Sequence, residues 1–198
     1  MTEQRPPRER YTLKMVLTRM GIIIGVTAVI QFGLMLLPQR GLYELSEYKS
    51  ILARCDEPLL VDHFPKEIPD ESNNGKLFFV KGAMGQGGDL QLRLTREKTF
   101  VDQLATDLAA SVKWQYVGGD MVSHYELDRT NNVPTTYFFT GDIKGEYVFP
   151  DSYTLYVLEA IDRRDPELGQ EGNWTHGHTR GIAINQAENI VVYWIRKW

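Results

Sequence analysis

A single cysteine, Cys55, leaves this chain of 198 residues without a second thiol, so an internal disulfide is excluded. Histidine is scarce as well. The four are His63, His124, His176 and His178, and any imidazole-based centre must draw on these. No serine stands in a G-x-S-x-G context, which removes the nucleophile elbow of hydrolases. Ser111 falls on an expected helix, and Ser123 neighbours His124 by sequence only. Asp62 and His63 are adjacent, and adjacent side chains on an extended chain point apart. Glu126 and Asp128 could share a strand face, but paired carboxylates are common on an acidic domain. No internal repeat and no low-complexity tract is present.

Positive charge is lacking over most of the chain. Residues 1–38 hold five Lys/Arg and two Asp/Glu, whereas residues 39–198 balance to −7. An acidic domain repels phosphate backbones, so no nucleic-acid partner is expected. Composition is otherwise ordinary, 42% hydrophobic and 24% charged, which excludes wholesale disorder.

What the sequence does have is one long apolar run. Residues 16–37, "VLTRMGIIIGVTAVIQFGLMLL", carry a single charge, Arg19, near the start. As a helix they extend about 33 Å, enough for a hydrocarbon core of about 30 Å. The run exceeds a signal-peptide core and ends "LMLLPQRGL" without a small-x-small cleavage site. Cys55 in "LARC" is no lipoprotein box, because Arg54 stands where a small residue is needed. The expectation is an uncleaved signal-anchor over 15–38, with the bilayer as its partner. Arg5, Arg8, Arg10 and Lys14 crowd the tail before it, while Glu44 and Glu47 dilute Arg40 after it. The positive-inside rule then puts tail 1–14 in the cytoplasm, with a stalk (39–57) and a domain (58–198) outside it. Within the run, Gly21 and Gly25 form G-x-x-x-G, a packing face for a homodimer.

Beyond the anchor, Leu42, Leu45, Tyr48, Ile51 and Leu52 recur at helical spacing, and Pro58, Pro65 and Pro69 then forbid regular helix. "KLFFVKG" (76–82) and "DLQLRLT" (89–95) read as strands, the second with Leu90, Leu92 and Leu94 inward and Gln91 and Arg93 outward. Four glycines lie between Lys81 and Asp89. A phosphate loop needs a closing Lys-Ser or Lys-Thr and a following helix. Here a strand follows, so the glycines are expected to turn a hairpin. Residues 99–112 read as a helix, with Thr99 and Asp102 as a capping box and Phe100, Leu104, Leu108 and Val112 stepping by four, Val101, Ala105 and Ala109 beside them. Strands are expected at 135–140, 151–160, 178–185 and 190–198, with a turn at Gln186–Asn189. Both faces of "IVVYWIRKW" are apolar, which marks a central strand. The order β-β-α-β-β-β-β implies an α+β fold, one mostly antiparallel sheet with the helix on one face.

His176 and His178 form H-x-H, a usable metal-ligand spacing if both lie on a strand, with His63, His124, Cys55 or loop carboxylates completing the set. Trp174, in a hydrophilic loop, is a candidate partner contact, and Asn173–Thr175 fits a glycosylation sequon. Apart from that candidate metal, no cofactor is implied. The matching residues His63, Phe64, Pro65, Ile68 and Pro69, then Gln86, Gly87, Gly88, Leu90, Gln91, Leu92 and Arg93, carry a likeness across about 30 residues. With them the chain resembles a group of uncharacterised bacterial exported proteins and lipoproteins that pair "HFP..IP" with "QGG..LQLR". The resemblance implies export and supplies no reaction. The functional expectation is a non-enzymatic, membrane-anchored domain that binds an envelope protein or small ligand. The alternative is an envelope enzyme or metal-binding domain using loops 117–134 and 161–177.

Overall fold

A computed structural model describes residues 41–55, 58–69, 74–81, 88–119, 133–143, 147–162 and 177–198. Seven strands form one sheet: β1 (Leu42–Tyr43), β2 (Lys76–Lys81), β3 (Gly88–Thr95), β4 (Trp114–Val117), β5 (Thr154–Asp162), β6 (Gly177–Asn185) and β7 (Ile190–Lys197). Two helices accompany it, α1 (Tyr48–Leu52) and α2 (Lys98–Ser111). The spatial order is β1-β2-β3-β7-β6-β5-β4, and every neighbouring pair is antiparallel. The described residues thus form an α+β domain, and residues 41–198 make one compact unit.

β7 occupies the middle of the sheet, as its two apolar faces predict. Val191, Tyr193 and Ile195 face the helices. There they join Leu77, Leu90, Leu92 and Leu94 against Val101, Ala105 and Leu108 of α2 and Tyr48 and Ile51 of α1. Val192 and Trp194 face the other way, against Phe138, Phe149 and Val133 of the segment that covers this second face. Trp194 is wholly buried. A Cβ on Gly181, its cross-strand neighbour, would lie only 2.6 Å from the indole, so glycine there makes room for the ring. The turn between β6 and β7 falls at Gln186–Asn189 as expected, with Asn189 in the left-handed region at φ 57°. Its start is held by Asn185 Oδ1, which accepts from the Glu188 amide at 3.2 Å.

The strands flanking the glycine-rich stretch pair as expected. β2 and β3 are antiparallel neighbours with Lys81 opposite Gly88, so residues 82–87, outside the described residues, connect the arms of a hairpin. Gly88 itself has φ 146°, a conformation side chains rarely adopt.

Several expectations are corrected. Residues 135–140 are not a strand. Their aromatic and β-branched side chains suit one, but Phe138 is buried against the second sheet face instead, and its amide donates to Tyr147 O at 2.7 Å. The strand beside β5 is β4, at 114–117. Gln91 does not face outward. It points to the second face, which residues 133–143 and 147–150 cover, and is fully buried. Arg93 is largely buried there too, its side chain 11% exposed. Thr99 caps nothing, since α2 begins at Lys98 after Glu97, and Asp102 instead receives Lys98 Nζ at 2.7 Å. On α2 and at its end, Leu108 is buried and Leu104 and Val112 pack partly buried on the core as read, but the flanking Val101 and Ala105 are buried as well and Phe100 is exposed. Residues 41–55 are more than a stalk. β1 pairs with β2, and α1 inserts Tyr48 and Ile51 into the core, because the helical stripe read there finds the sheet to pack on.

Among the described residues no helix is long and apolar enough to cross a membrane. The segment expected to do so, 15–38, lies outside them, as do Gly21 and Gly25.

Candidate functional site

Two sets of polar side chains lie toward one end of the sheet, one on each face, and a third lies further along on the second face. The last rungs at that end set Lys81 opposite Gly88, Gly88 opposite Lys197, Lys197 opposite His178, and His178 opposite Ile161. Residues 82–87 and 163–176 both connect strands at this end.

On the helical face, strand alternation sets His178 and Arg180 in line with Ile182 and Ile184. A register shift in β5 between Val157 and Glu159 brings Glu159 opposite Arg180. Arg180 Nε lies 2.8 Å from Glu159 Oε2. Its Nη1 donates to Leu59 O at 2.7 Å and to Asp62. His178 Nε2 is 3.3 Å from the same Glu159 oxygen, and the ring is buried. His63 turns inward and its Nε2–H donates to Trp194 O at 3.1 Å, while its Nδ1 stands 3.9 Å from Asp62 Oδ1. The Nδ1 atoms of both histidines are buried without a hydrogen-bond partner. Burial pushes His63 down to about 4; Arg180 adds to this, while the bonds to the Trp194 and Gly181 backbones and the Asp62 charge oppose it.

On the second face, Asp89 and Arg196 sit opposite each other, Oδ1 to Nε 3.9 Å. The Arg196 guanidinium lies 4.3 Å from the centre of the Tyr137 ring. Burial pushes Asp89 up to about 6, against the pull of Arg196. Four residues further along β3 from Asp89, Arg93 joins Lys76 in gripping Asp142, each at 2.8 Å, which fastens the covering segment to β2 and β3. Gln91 completes that attachment. Its amide nitrogen donates to Tyr137 O and to Thr136 Oγ1, and its oxygen accepts from the Thr140 amide and hydroxyl, both at 3.2 Å. Thr135 and Thr136 help enclose a cavity of about 10 Å³ with Val117, Phe149 and Leu155, room for one water and none for a substrate.

Of the residues singled out from sequence, the structure places His178 in β6 beside Glu159. His124, Trp174 and His176 lie outside the described residues. Asp62 and His63 do not point fully apart: the chain turns there rather than running extended, so their side chains stay within 3.9 Å although Asp62 reaches Arg180 and His63 reaches β7. Among the described residues no three His, Cys, Asp or Glu side chains are grouped to hold a metal ion. Glu159, Arg180 and Gln91 were missed by the sequence reading. The signal lay in a charge or amide set inside an otherwise apolar strand, as in "LYVLEA", "TRGIAI" and "LQLRL".

No protein-family model matches this chain, and neither a curated protein nor a solved structure matches it.

Proposed function

We propose that this chain is a single-pass membrane protein with a cytoplasmic N-terminus, whose outer α+β domain binds an envelope protein or small ligand without catalysing a reaction. The observation that carries the reading is the apolar run 16–37 with four basic residues before it, followed within a few residues by the compact unit that begins at Gly41. The resemblance to exported proteins supports the same placement. Among the described residues, the polar groups named above are engaged with one another. Asp62, Glu159 and Arg180 hold one another, and Gln91, Lys76 and Arg93 hold the covering segment. His63 and His178 point their bonded nitrogens at Trp194 O and Glu159 and are not presented to a substrate.

Topology is the decisive test. Alkaline phosphatase fused after Trp198 should be active, and a fluorescent reporter that matures only in the cytoplasm should be dark. The reverse pattern overturns the proposal. In the same reading Gly21 and Gly25 pair two anchors. Full-length protein in mild detergent should be partly dimeric, and Gly25→Ile should reduce the dimer.

A further inference from the structure

We propose that residues 58–69 form an acid-released strap, latched to the sheet at neutral pH by His63 and let go when its imidazole takes up a proton. The strap crosses the helical face at the polar end of the sheet. Prolines at 58, 65 and 69 deny it a regular hydrogen-bond ladder, and beyond a short 3-10 turn at Pro58–Val61 it has no secondary structure of its own. Its attachments are therefore few. His63 donates to Trp194 O, Arg180 bonds Leu59 O and Asp62, Tyr48 Oη donates to Pro65 O, and Lys49 pairs with Glu67 at the exposed margin. Leu60 and Phe64 are the buried apolar anchors, Phe64 against Tyr193 with ring centres 5.9 Å apart.

The imidazole is the weak point of this set. Its Nε2–H already serves Trp194 O, so an added proton must go to Nδ1, which is buried and unpartnered. The groups acting on it are Asp62 on the strap, Arg180 from β6, itself paired with Glu159 of β5, and the Trp194 and Gly181 backbones, which favour the proton but are outweighed by burial. Arg180 repels the new charge. Asp62, at 3.9 Å, is the nearest carboxylate, and it is already engaged by Arg180. Protonated His63 therefore competes with Arg180 for Asp62 or leaves its pocket for water. Either course loosens the strap and uncovers Tyr193 and the inner sides of Leu60 and Phe64. β7 stays paired on both sides with β3 and β6, so the sheet survives the release.

Hydrogen exchange on the full-length chain in detergent tests this, with rates corrected for the intrinsic pH dependence of exchange. A shift from 6.5 to about 4 makes strap opening about 70-fold more favourable at pH 4.5 than at pH 7.5. Protection of the 58–69 amides should fall by that order, while the α2 amides keep theirs. In His63→Gln, whose amide also donates to Trp194 O, strap protection should not change with pH. Loss of strap and α2 protection together, unchanged strap protection, or the same loss in His63→Gln overturns the proposal. If His63→Gln does not fold, the wild-type imidazole decides. Its magnetic-resonance titration must coincide with strap opening, and titration near 6.5 with the strap still protected refutes the latch.

Discussion

Gln91→Leu tests how the covering segment is held on the second face of the sheet. The two side chains have similar volume, so no cavity forms. What is lost is the donor to Tyr137 O and Thr136 and the acceptor for the Thr140 amide and hydroxyl. Each buried group left without a partner costs about 1–3 kcal/mol, and the amide and hydroxyl of Thr140 are two such groups, whereas Tyr137 O keeps the Phe139 amide at 3.2 Å. The greater ease of burying leucine offsets part of this, leaving about 2–4 kcal/mol of destabilisation. For a domain of this size each kcal/mol moves Tm by roughly 2–4 °C, so a fall of about 5–15 °C is expected in a circular-dichroism melt. Chymotryptic cleavage at Tyr137, Phe139 or Tyr147 should speed up before cleavage elsewhere. Gln91→Glu adds a pH signature. Its carboxylate has no proton for Tyr137 O at pH 7.5, but the neutral acid does, so the defect should shrink by pH 4. Gln115→Leu, at an exposed position of β4, is the control. A Gln91→Leu melt within about 1 °C of wild type, or a fall matched by Gln115→Leu, would refute the assignment of Gln91 as the clasp.

Trp194→Ala should cost about 3–5 kcal/mol, the usual price of removing a buried aromatic, and deletion of 190–198 should abolish the cooperative melt of the domain. Deletion of 1–14 should leave that melt unchanged. Asp89→Asn should raise Tm at pH 7.5 and have little effect near pH 4. The folded pKa of about 6 exceeds the ordinary 3.8, so the carboxylate costs stability as pH rises through that window, up to about 3 kcal/mol. Lower stability of Asp89→Asn at pH 7.5 would show that the Arg196 pairing outweighs burial.

The sheet was legible where one residue class repeated with the right period. Leu90, Leu92 and Leu94 gave β3 its inner face, and Ile190–Ile195, apolar on both sides, placed β7 at the centre. The rest turned on tertiary partners that spacing does not encode. Thr135–Thr140 has the composition of a strand, but Gln91, more than forty residues earlier, supplies bonds that a ladder would otherwise provide. Trp114–Val117 was passed over because four residues after a helix carry too little period to read. Thr99 and Asp102 have capping spacing, but the backbone enters the helix one residue sooner, at Lys98. In the candidate site, His178 stood out by its H-x-H spacing. Its bond to Glu159 depends on a bulge in β5 that no local pattern announces.

The position of β7 bears on the order in which the sheet is made. β2 and β3 are synthesised first and β4, β5 and β6 later, yet these groups meet only through β7, which follows them all in the chain. Leu90 waits for Ile195, about a hundred residues downstream. Until then β3 and β6 each present an open edge, and such long-range pairing is slow and prone to wrong partners. The sheet is therefore completed only when residues 190–197 have been made. The same delay leaves two unpaired edges in the newly emerged chain, so a chaperone that shields strand edges should raise the yield of folded protein more than one that binds helices.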